Sequence, residues 1–351
     1  MKLLSLSLQE TQELMRSMDQ PAFRGQQLYT GLTHGKPLED INIPKDLKSR
    51  LREAGWTAGG VKIHERFVSK LDGTIKYLYE LEDGNIIEGV LMHYHHGNTL
   101  CVSTQVGCRM GCAFCASTIG GLIRCLEPGE ILGQVIAVNR ENKTSEARGV
   151  TNIVLMGSGE PLDNYDNVLK FLKLVSDEKG LNISLRNVSV STCGLVPRIR
   201  QLAQENLGIT LSLSLHAPND TLRHQLMPVS KAYSLNDTVG AMRDYVRATG
   251  RRVIFEYALI DHFNDTPACA EELKTLLANM QCHVNLIPLN SVHESGLVGS
   301  SPERVKAFLG YLEKEHISAT VRREMGADIS GACGQLRRSF LHKEEPCNTT
   351  D

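Results

Sequence analysis

From Thr99 to Glu324 the sequence alternates short apolar, β-branched runs with longer stretches of helical periodicity, and this alternation limits the fold most. The strand-like runs are "TLCVSTQV" (99–106), "TNIVLMG" (151–157), "RNVSVSTCG" (186–194), "ITLSLSLHA" (209–217), "RRVIFEYALI" (251–260), "CHVNLIPL" (282–289) and "SATVRRE" (318–324). Between them lie helical segments such as "DNVLKFLKLVSDEKG", "VPRIRQLAQEN", "LNDTVGAMRDYVRATG", "ACAEELKTLLANM" and "SPERVKAFLGYLEKE". Repeated strand–helix units predict an α/β fold with a parallel sheet curling toward a barrel. In such folds the functional residues gather at the C-terminal ends of the strands.

Five of these ends are polar or glycine-rich. A loop with Cys108, Cys112 and Cys115 follows the first strand and "GSGEP" (157–161) the second; "STCG" (191–194), "SLHAPN" (214–219) and "NLIPLN" (285–290) end later ones. Their convergence on one rim predicts a site. No apolar stretch approaches the ~20 residues of a membrane span, and polar Gln9, Glu10 and Gln12 interrupt the N-terminus too early for a secretory signal. A cytoplasmic protein without membrane association is expected. Ten cysteines in such a chain point to metal binding or catalysis rather than a disulfide framework. Cys125, Cys269, Cys282 and Cys347 read as structural or incidental. The net charge of −2 argues neither for nor against nucleic acid.

Upstream, residues 1–55 read as a small helical unit, with "LQETQELMRSM" and "DLKSRLREAG" at helical spacing. Residues 61–106 alternate as strands, with hairpin-turn signals at Asp83-Gly84 and Gly97-Asn98. The tract "MHYHHG" (92–97) looks metal-binding, but a hairpin tip favours a solvated turn. Arg24, Lys36 and Lys45 near Phe23 and Tyr29 fit either RNA binding by phosphate contact and stacking or a helical cap on the core.

Cys-x3-Cys-x2-Cys, with Phe114 before the third cysteine, resembles the motif of radical S-adenosylmethionine (SAM) enzymes. The resemblance implies that three thiolates hold a 4Fe–4S cluster whose fourth iron is left for SAM, and that the protein positions this chemistry. A structural zinc site is the bland alternative, but no second Cys-x2-Cys pair exists. In "GSGEP", small residues allow close backbone approach and Glu160 can accept a hydrogen bond from the SAM ammonium.

The whole pattern is similar to the RlmN/Cfr family of radical SAM RNA methyltransferases, from "FRGQQLY" (23–29) to "GACGQLRR" (331–338). "TQVGCRMGCAFCAST", "MGSGEPLDN", "VSTCGLVPRI", "SLSLHAPND", "NLIPLN" and "DISGACGQL" carry the likeness, in order. It implies a partial (β/α)6-type, TIM-like barrel at 99–325. It also implies an N-terminal helical accessory domain (1–60) for RNA binding, a β-hairpin extension (61–98) and a C-terminal segment (326–351). Cluster ligands are then Cys108, Cys112 and Cys115; SAM contacts are Gly159, Glu160, Ser191, Ser214, Leu215, His216 and Asn290. Cys333 would be the S-methylcysteine carrier, Cys101 the disulfide partner that resolves a protein–RNA adduct, and Glu88 the proton acceptor. Two SAM molecules per turnover, 23S rRNA and tRNA substrates, and an electron donor such as flavodoxin or ferredoxin follow from the same likeness.

Pro161 and "FCAST" favour the RlmN type, which methylates adenosine carbon 2, over the Cfr type, which methylates carbon 8 and confers antibiotic resistance. Ser158 and Cys193 depart from the usual family residues at the expected SAM rim. Other readings are an iron–sulfur electron-transfer protein and a simple RNA-binding module.

Overall fold

The computed structural model describes residues 1–142, 149–290, 296–332 and 334–336. Three helices come first: α1 (Leu8–Ser17), α2 (Ala22–Thr33) and α3 (Lys45–Glu53). Ser7 and Glu10 form a capping box that starts α1, each side chain accepting from the other's backbone N–H at 3.2 and 2.7 Å. Pro21 and Pro44 stand just before α2 and α3, where a missing N–H costs nothing.

Strands β1 (Lys62–Val68), β2 (Ile75–Glu80), β3 (Ile86–Tyr94) and β4 (Gly97–Cys101) then form an antiparallel ribbon. Asp83-Gly84 sits in the β2–β3 connection as expected. The β3–β4 turn falls on His95-His96 instead of Gly97-Asn98, because Tyr94 already pairs with Gly97. His93, His95 and His96 are exposed, in keeping with a solvated turn.

The run 99–106 is not one strand. β4 ends at Cys101, and Val102–Thr104 cross to the next layer: Ser103 N–H donates to Gln134 Oε1 at 2.9 Å and Thr104 N–H to the Ser158 carbonyl at 2.9 Å. β5 (Gln105–Gly107) then pairs with β6 (Leu122–Cys125) in a separate two-stranded sheet. Next come α4 (Pro128–Asn142), β7 (Asn152–Leu155), α5 (Tyr165–Ser176), β8 (Val188–Thr192), α6 (Val196–Gln204) and β9 (Thr210–Ser214). The described elements end with α7 (Asp220–Leu226), α8 (Leu235–Thr249), β10 (Val253–Leu259), α9 (Pro267–Leu277), β11 (Cys282–Pro288), α10 (Pro302–Lys314) and β12 (Ala319–Val321).

The ten-stranded sheet has the order β1-β2-β3-β4-β7-β8-β9-β10-β11-β12, parallel from β4 onward. Among the described residues it does not close, so the barrel is partial, with β1 and β12 at its edges. No described helix is long and apolar enough to cross a membrane.

The N-terminal helices cap this sheet's helical layer. Met15, Leu28, Leu47 and Leu51 are fully buried and belong to the same apolar core as α4 and α5. Tyr29, expected to be available for stacking on a base, is also buried in that core; Phe23 is exposed, with the Arg24 guanidinium 4.8 Å from its ring centre. Gly133 in α4 faces Gly60 so closely that a Cβ would lie 2.6 Å from Gly60 Cα and 2.9 Å from Val61 N. Backbone atoms cannot yield as a side-chain end can. Gly→Ala in a helix ordinarily stabilises, but Gly133→Ala should destabilise by about 1–3 kcal/mol through overpacking. A urea unfolding midpoint equal to or above that of the unaltered protein would contradict this contact.

Candidate active site

The β5–β6 hairpin forms the cysteine loop. Gly107 has φ +76°, and any Cβ there would lie 2.0 Å from the Gly121 carbonyl oxygen, so only glycine lets the hairpin close. Cys108 N–H donates to Gly121 O at 3.1 Å, Cys115 N–H to Cys112 O at 3.1 Å, and Ala113 N–H to Leu226 O at 2.9 Å, which pins the loop onto α7. Cys108 is buried, and Cys112 and Cys115 are half-buried. Burial pushes the Cys108 thiol up to about 12 and the Cys112 thiol well above its usual range. Without a metal these are neutral thiols; an electropositive partner is what would hold them as thiolates. Among the described residues no group of three or more His, Cys, Asp or Glu side chains closes on a single metal ion. Instead the three thiols line the wall of a cleft enclosing about 950 Å³.

All five strand ends singled out in the sequence reach this cleft. Gly159 has φ +104°, and a Cβ there would lie 2.5 Å from Gln105 Cβ. Glu160 is buried; its Oε1 accepts from Leu162 N–H at 3.0 Å and its Oε2 from Cys193 N–H at 2.8 Å. Burial raises its pKa and these hydrogen bonds oppose the rise. A carboxylate has about four lone-pair sites, so Glu160 can still accept from a ligand ammonium. Ser191, Ser214, His216 and Asn290 also line the cleft. Leu215 does not: its side chain is in the core, its N–H donates to Glu256 O at 3.0 Å, and its carbonyl accepts from Arg223 Nε at 3.2 Å.

Of the two departures, Cys193 lines the cleft. Its thiol is buried, and its backbone is tied through its N–H to Glu160 and its carbonyl to Arg223. Ser158 is not at this rim; it borders the separate cavity beside Glu88.

His216 is buried with φ +56°, an uncommon conformation for a side chain other than glycine. Its Nδ1 accepts from Ala258 N–H at 3.0 Å. Since a backbone amide can only donate, the ring is neutral with its proton on Nε2. Burial, helped by the Arg223 charge, pushes its pKa down to about 3. Phe114 meets the ring edge-on at 4.5 Å.

A second, mostly apolar cavity of about 530 Å³ adjoins the cleft and shares Met156, Ile287, Asn290 and Arg322 with it. Cys101 lines it, together with Val90, Met325 and Ala332. Cys333 and Cys347 lie outside the described residues, so the Cys101–Cys333 pairing does too. Cys333's chain neighbours are described: Ala332 lines the Cys101 cavity and Gly334 lines the cleft. The Gly334 carbonyl accepts from Ala116 N–H at 2.8 Å and that of Leu336 from Ser117 Oγ at 2.8 Å. Glu88 borders neither space. It is buried on β3, two residues from the Val90 that pairs with Cys101, and lines a third cavity of about 420 Å³. Lys76 Nζ, also buried, lies 3.3 Å from Glu88 Oε1.

Sequence reasoning missed Glu256 and Arg322, which also line the cleft. Glu256 Oε1 accepts from Asn285 Nδ2 at 3.1 Å, while its Oε2 is buried without a partner among the described residues. The available signal was a lone carboxylate inside the apolar strand "VIFEYALI".

A parallel sheet whose first strand leads to a three-cysteine loop, with polar strand ends around it, defines a radical SAM enzyme. The Radical SAM superfamily matches residues 102–271. A probable dual-specificity RNA methyltransferase RlmN from Clostridium tetani is 50% identical over 97% of this chain and 96% of its own length. One from Alkaliphilus oremlandii is 51% identical over 97% and 98%. The crystal structure of a radical SAM methyltransferase from Sphaerobacter thermophilus superposes with a TM-score of 0.92 at 42% identity, over 96% of this chain and 99% of the other. The chain belongs to the RlmN family of dual-specificity RNA methyltransferases, SAM-dependent enzymes of the radical SAM superfamily.

That family implies a 4Fe–4S cluster and SAM. The donor set fits them: three cysteine side chains, small and hydroxylated strand ends, and Glu256, whose Oε2 has no partner among the described residues, all line one cleft.

The His216 ring carries a direct pH consequence. Its folded pKa lies below the ~6.5 of an unfolded histidine, so the unfolded chain takes up the proton first. This contribution to stability is complete above about pH 6.5 and is lost progressively as pH falls toward 3. The unfolding midpoint should therefore drop more between pH 7.5 and 5.5 in the unaltered enzyme than in His216→Asn, and equal drops would contradict a neutral buried ring.

Proposed function

We propose that this enzyme methylates carbon 2 of an adenosine in 23S rRNA and of the adenosine beside the anticodon in tRNA, passing the one-carbon unit through Cys333. The observation that carries this reading is the position of the C-terminal segment: Ala332 and Gly334 border the Cys101 cavity and the three-cysteine cleft, respectively.

The indirect route has a chemical reason. The SAM methyl group is an electrophile and the amidine carbon of adenine is electron-poor, so direct transfer lacks a nucleophile. A Cys333 thiolate supplies one, taking a methyl group from a first SAM by substitution. With three thiolates from Cys108, Cys112 and Cys115, the bound cluster and a second SAM would supply a 5′-deoxyadenosyl radical, which activates the S-methyl group.

Gly159, Glu160, Ser191, Ser214, His216 and Asn290 bind and orient SAM. His216, neutral across the working pH range, offers only its Nε2–H as a donor, and Leu215 acts through backbone. The S-methyl carbon, having given up a hydrogen atom, bonds to the adenine ring carbon to make a protein–RNA adduct; Glu88, 3.3 Å from Lys76 Nζ, accepts the proton from that ring carbon as the odd electron passes back to the external redox couple. Cys101 attacks the Cys333 sulfur, forming a disulfide; the carbon–sulfur bond breaks with its electron pair going to the carbon, which takes a proton and leaves as the methyl group of the base. Reduction of that disulfide and of the cluster calls for an external donor such as flavodoxin or ferredoxin. Because the reacting base must leave its stack to reach such enclosed spaces, the target adenosine is unpaired or readily flipped. Exposed Phe23 beside Arg24, with Lys36 and Lys45, supports an RNA-binding role for residues 1–60.

Cys333→Ala should abolish methylation while keeping its iron and sulfide content, and Cys101→Ala should accumulate a covalent protein–RNA adduct on denaturing gels. Methylated product from Cys333→Ala, or only free RNA with Cys101→Ala, would contradict the assigned roles.

A further inference from the structure

Among the described residues, Arg223 on α7 is one of the largest side chains with no exposed surface. Its guanidinium spans two strand ends: Nη2 donates to the carbonyls of Cys193 at 2.7 Å and Ser214 at 3.3 Å, and Nε to that of Leu215 at 3.2 Å. Nη1 is buried with no hydrogen-bond partner among the described residues. Among the described residues no carboxylate is paired with it. Asp220, on the same helix, accepts instead from Leu235 N–H at 2.7 Å.

A guanidinium does not lose its proton in a protein; the Asp220 carboxylate is near enough to favour the charge without bonding to it, and a buried charge hydrogen-bonded only to neutral carbonyls remains strongly unfavourable. Such a group calls for an anion. Cys193, whose carbonyl it holds, is one neighbour and is buried in an apolar cluster with Leu226 and Met227. The cysteine loop is the other neighbour. Cys112 packs with Cys193, Leu226 and Met227 in one apolar cluster, and Ala113 is bonded to Leu226 on the Arg223 helix. A 4Fe–4S core with three thiolates is anionic, and reduction makes it more so by one charge.

We propose that Arg223 is the buried counter-charge of the cluster, a positioning residue whose cation favours the reduced state and so raises the reduction potential. Net charge around a cluster is one of the levers that set its potential. A purely scaffolding role would need only the fork of donors across the three carbonyls. The proposal rests on reading Cys108, Cys112 and Cys115 as cluster ligands; iron and sulfide analysis of the unaltered enzyme checks that reading separately.

The test is an anaerobic redox titration of the reconstituted holoenzyme, followed by electron paramagnetic resonance of the reduced cluster, for the unaltered enzyme, Arg223→Gln and Arg223→Lys. Arg223→Gln should disfavour reduction roughly tenfold, a potential about 59 mV more negative for a one-electron couple. Arg223→Lys should stay near the unaltered value. A loaded Arg223→Gln enzyme with unchanged potential would overturn the proposal. If Arg223→Gln does not hold a cluster, Arg223→Lys decides. Loading at the unaltered potential supports the charge role, since a lysine cannot reproduce the fork. A failure to load, or a potential shifted as expected for the neutral variant, refutes it.

Discussion

The cleft depends on the buried carboxylate of Glu160. Its two oxygens hold Leu162 N–H and Cys193 N–H, joining the end of β7 to the end of β8, while its own N–H donates to Gln105 Oε1 at 2.9 Å. Gln105 opens the hairpin that carries the three cysteines, so one residue couples that loop to two strand ends. Parallel strands leave their last N–H and C=O groups unpaired at the rim. When those groups are buried, side chains must satisfy them. Asn264 does the same farther along, bonding to the carbonyls of His216 and Ala258 and to Ile260 N–H. The rim is therefore held before any ligand arrives, as transition-state stabilisation by fixed dipoles requires.

Against this satisfied background, the exceptions point to the ligands. Among the described residues, the buried side-chain polar atoms without a partner are hydroxyls apart from two on ionisable groups, Glu256 Oε2 and Arg223 Nη1, one lining the cleft and the other behind the cysteine loop. A carboxylate near a polar cofactor and a cation near an anionic cluster are complementary arrangements. In each case the low dielectric that makes the group costly when alone makes it effective when the partner is bound.

Much of this was legible in the sequence because strand ends have a simple code: an apolar run, then small or polar residues. That code located the cysteine loop and the ends at 157–161, 191–194, 214–219 and 285–290. It failed where burial is uniform. Helix α4 went unread because nearly every residue from Pro128 to Val138 is buried, which removes the polar face that reveals a helix. The break after Cys101 depends on Gln134, thirty-one residues later, intercepting Ser103. Tyr29 in a basic, aromatic stretch resembled a surface residue, and only its burial in the apolar cluster shows it to be core. Arg223 was invisible for the same reason, since an arginine on a short helix is ordinarily solvated. The role proposed for Cys333 rests on family likeness, because no local spacing links it to residues more than two hundred positions earlier.

The central claim is that the transferred carbon travels on a cysteine and loses a hydrogen atom there before it reaches the base. Enzyme prepared without a methyl group on Cys333, given RNA and SAM labelled with three deuterium atoms in its methyl group, tests this most directly. Mass spectrometry of the methylated adenosine should show a methyl group lacking one of those deuterium atoms. A product that retains all three would mean intact methyl transfer and would contradict the account.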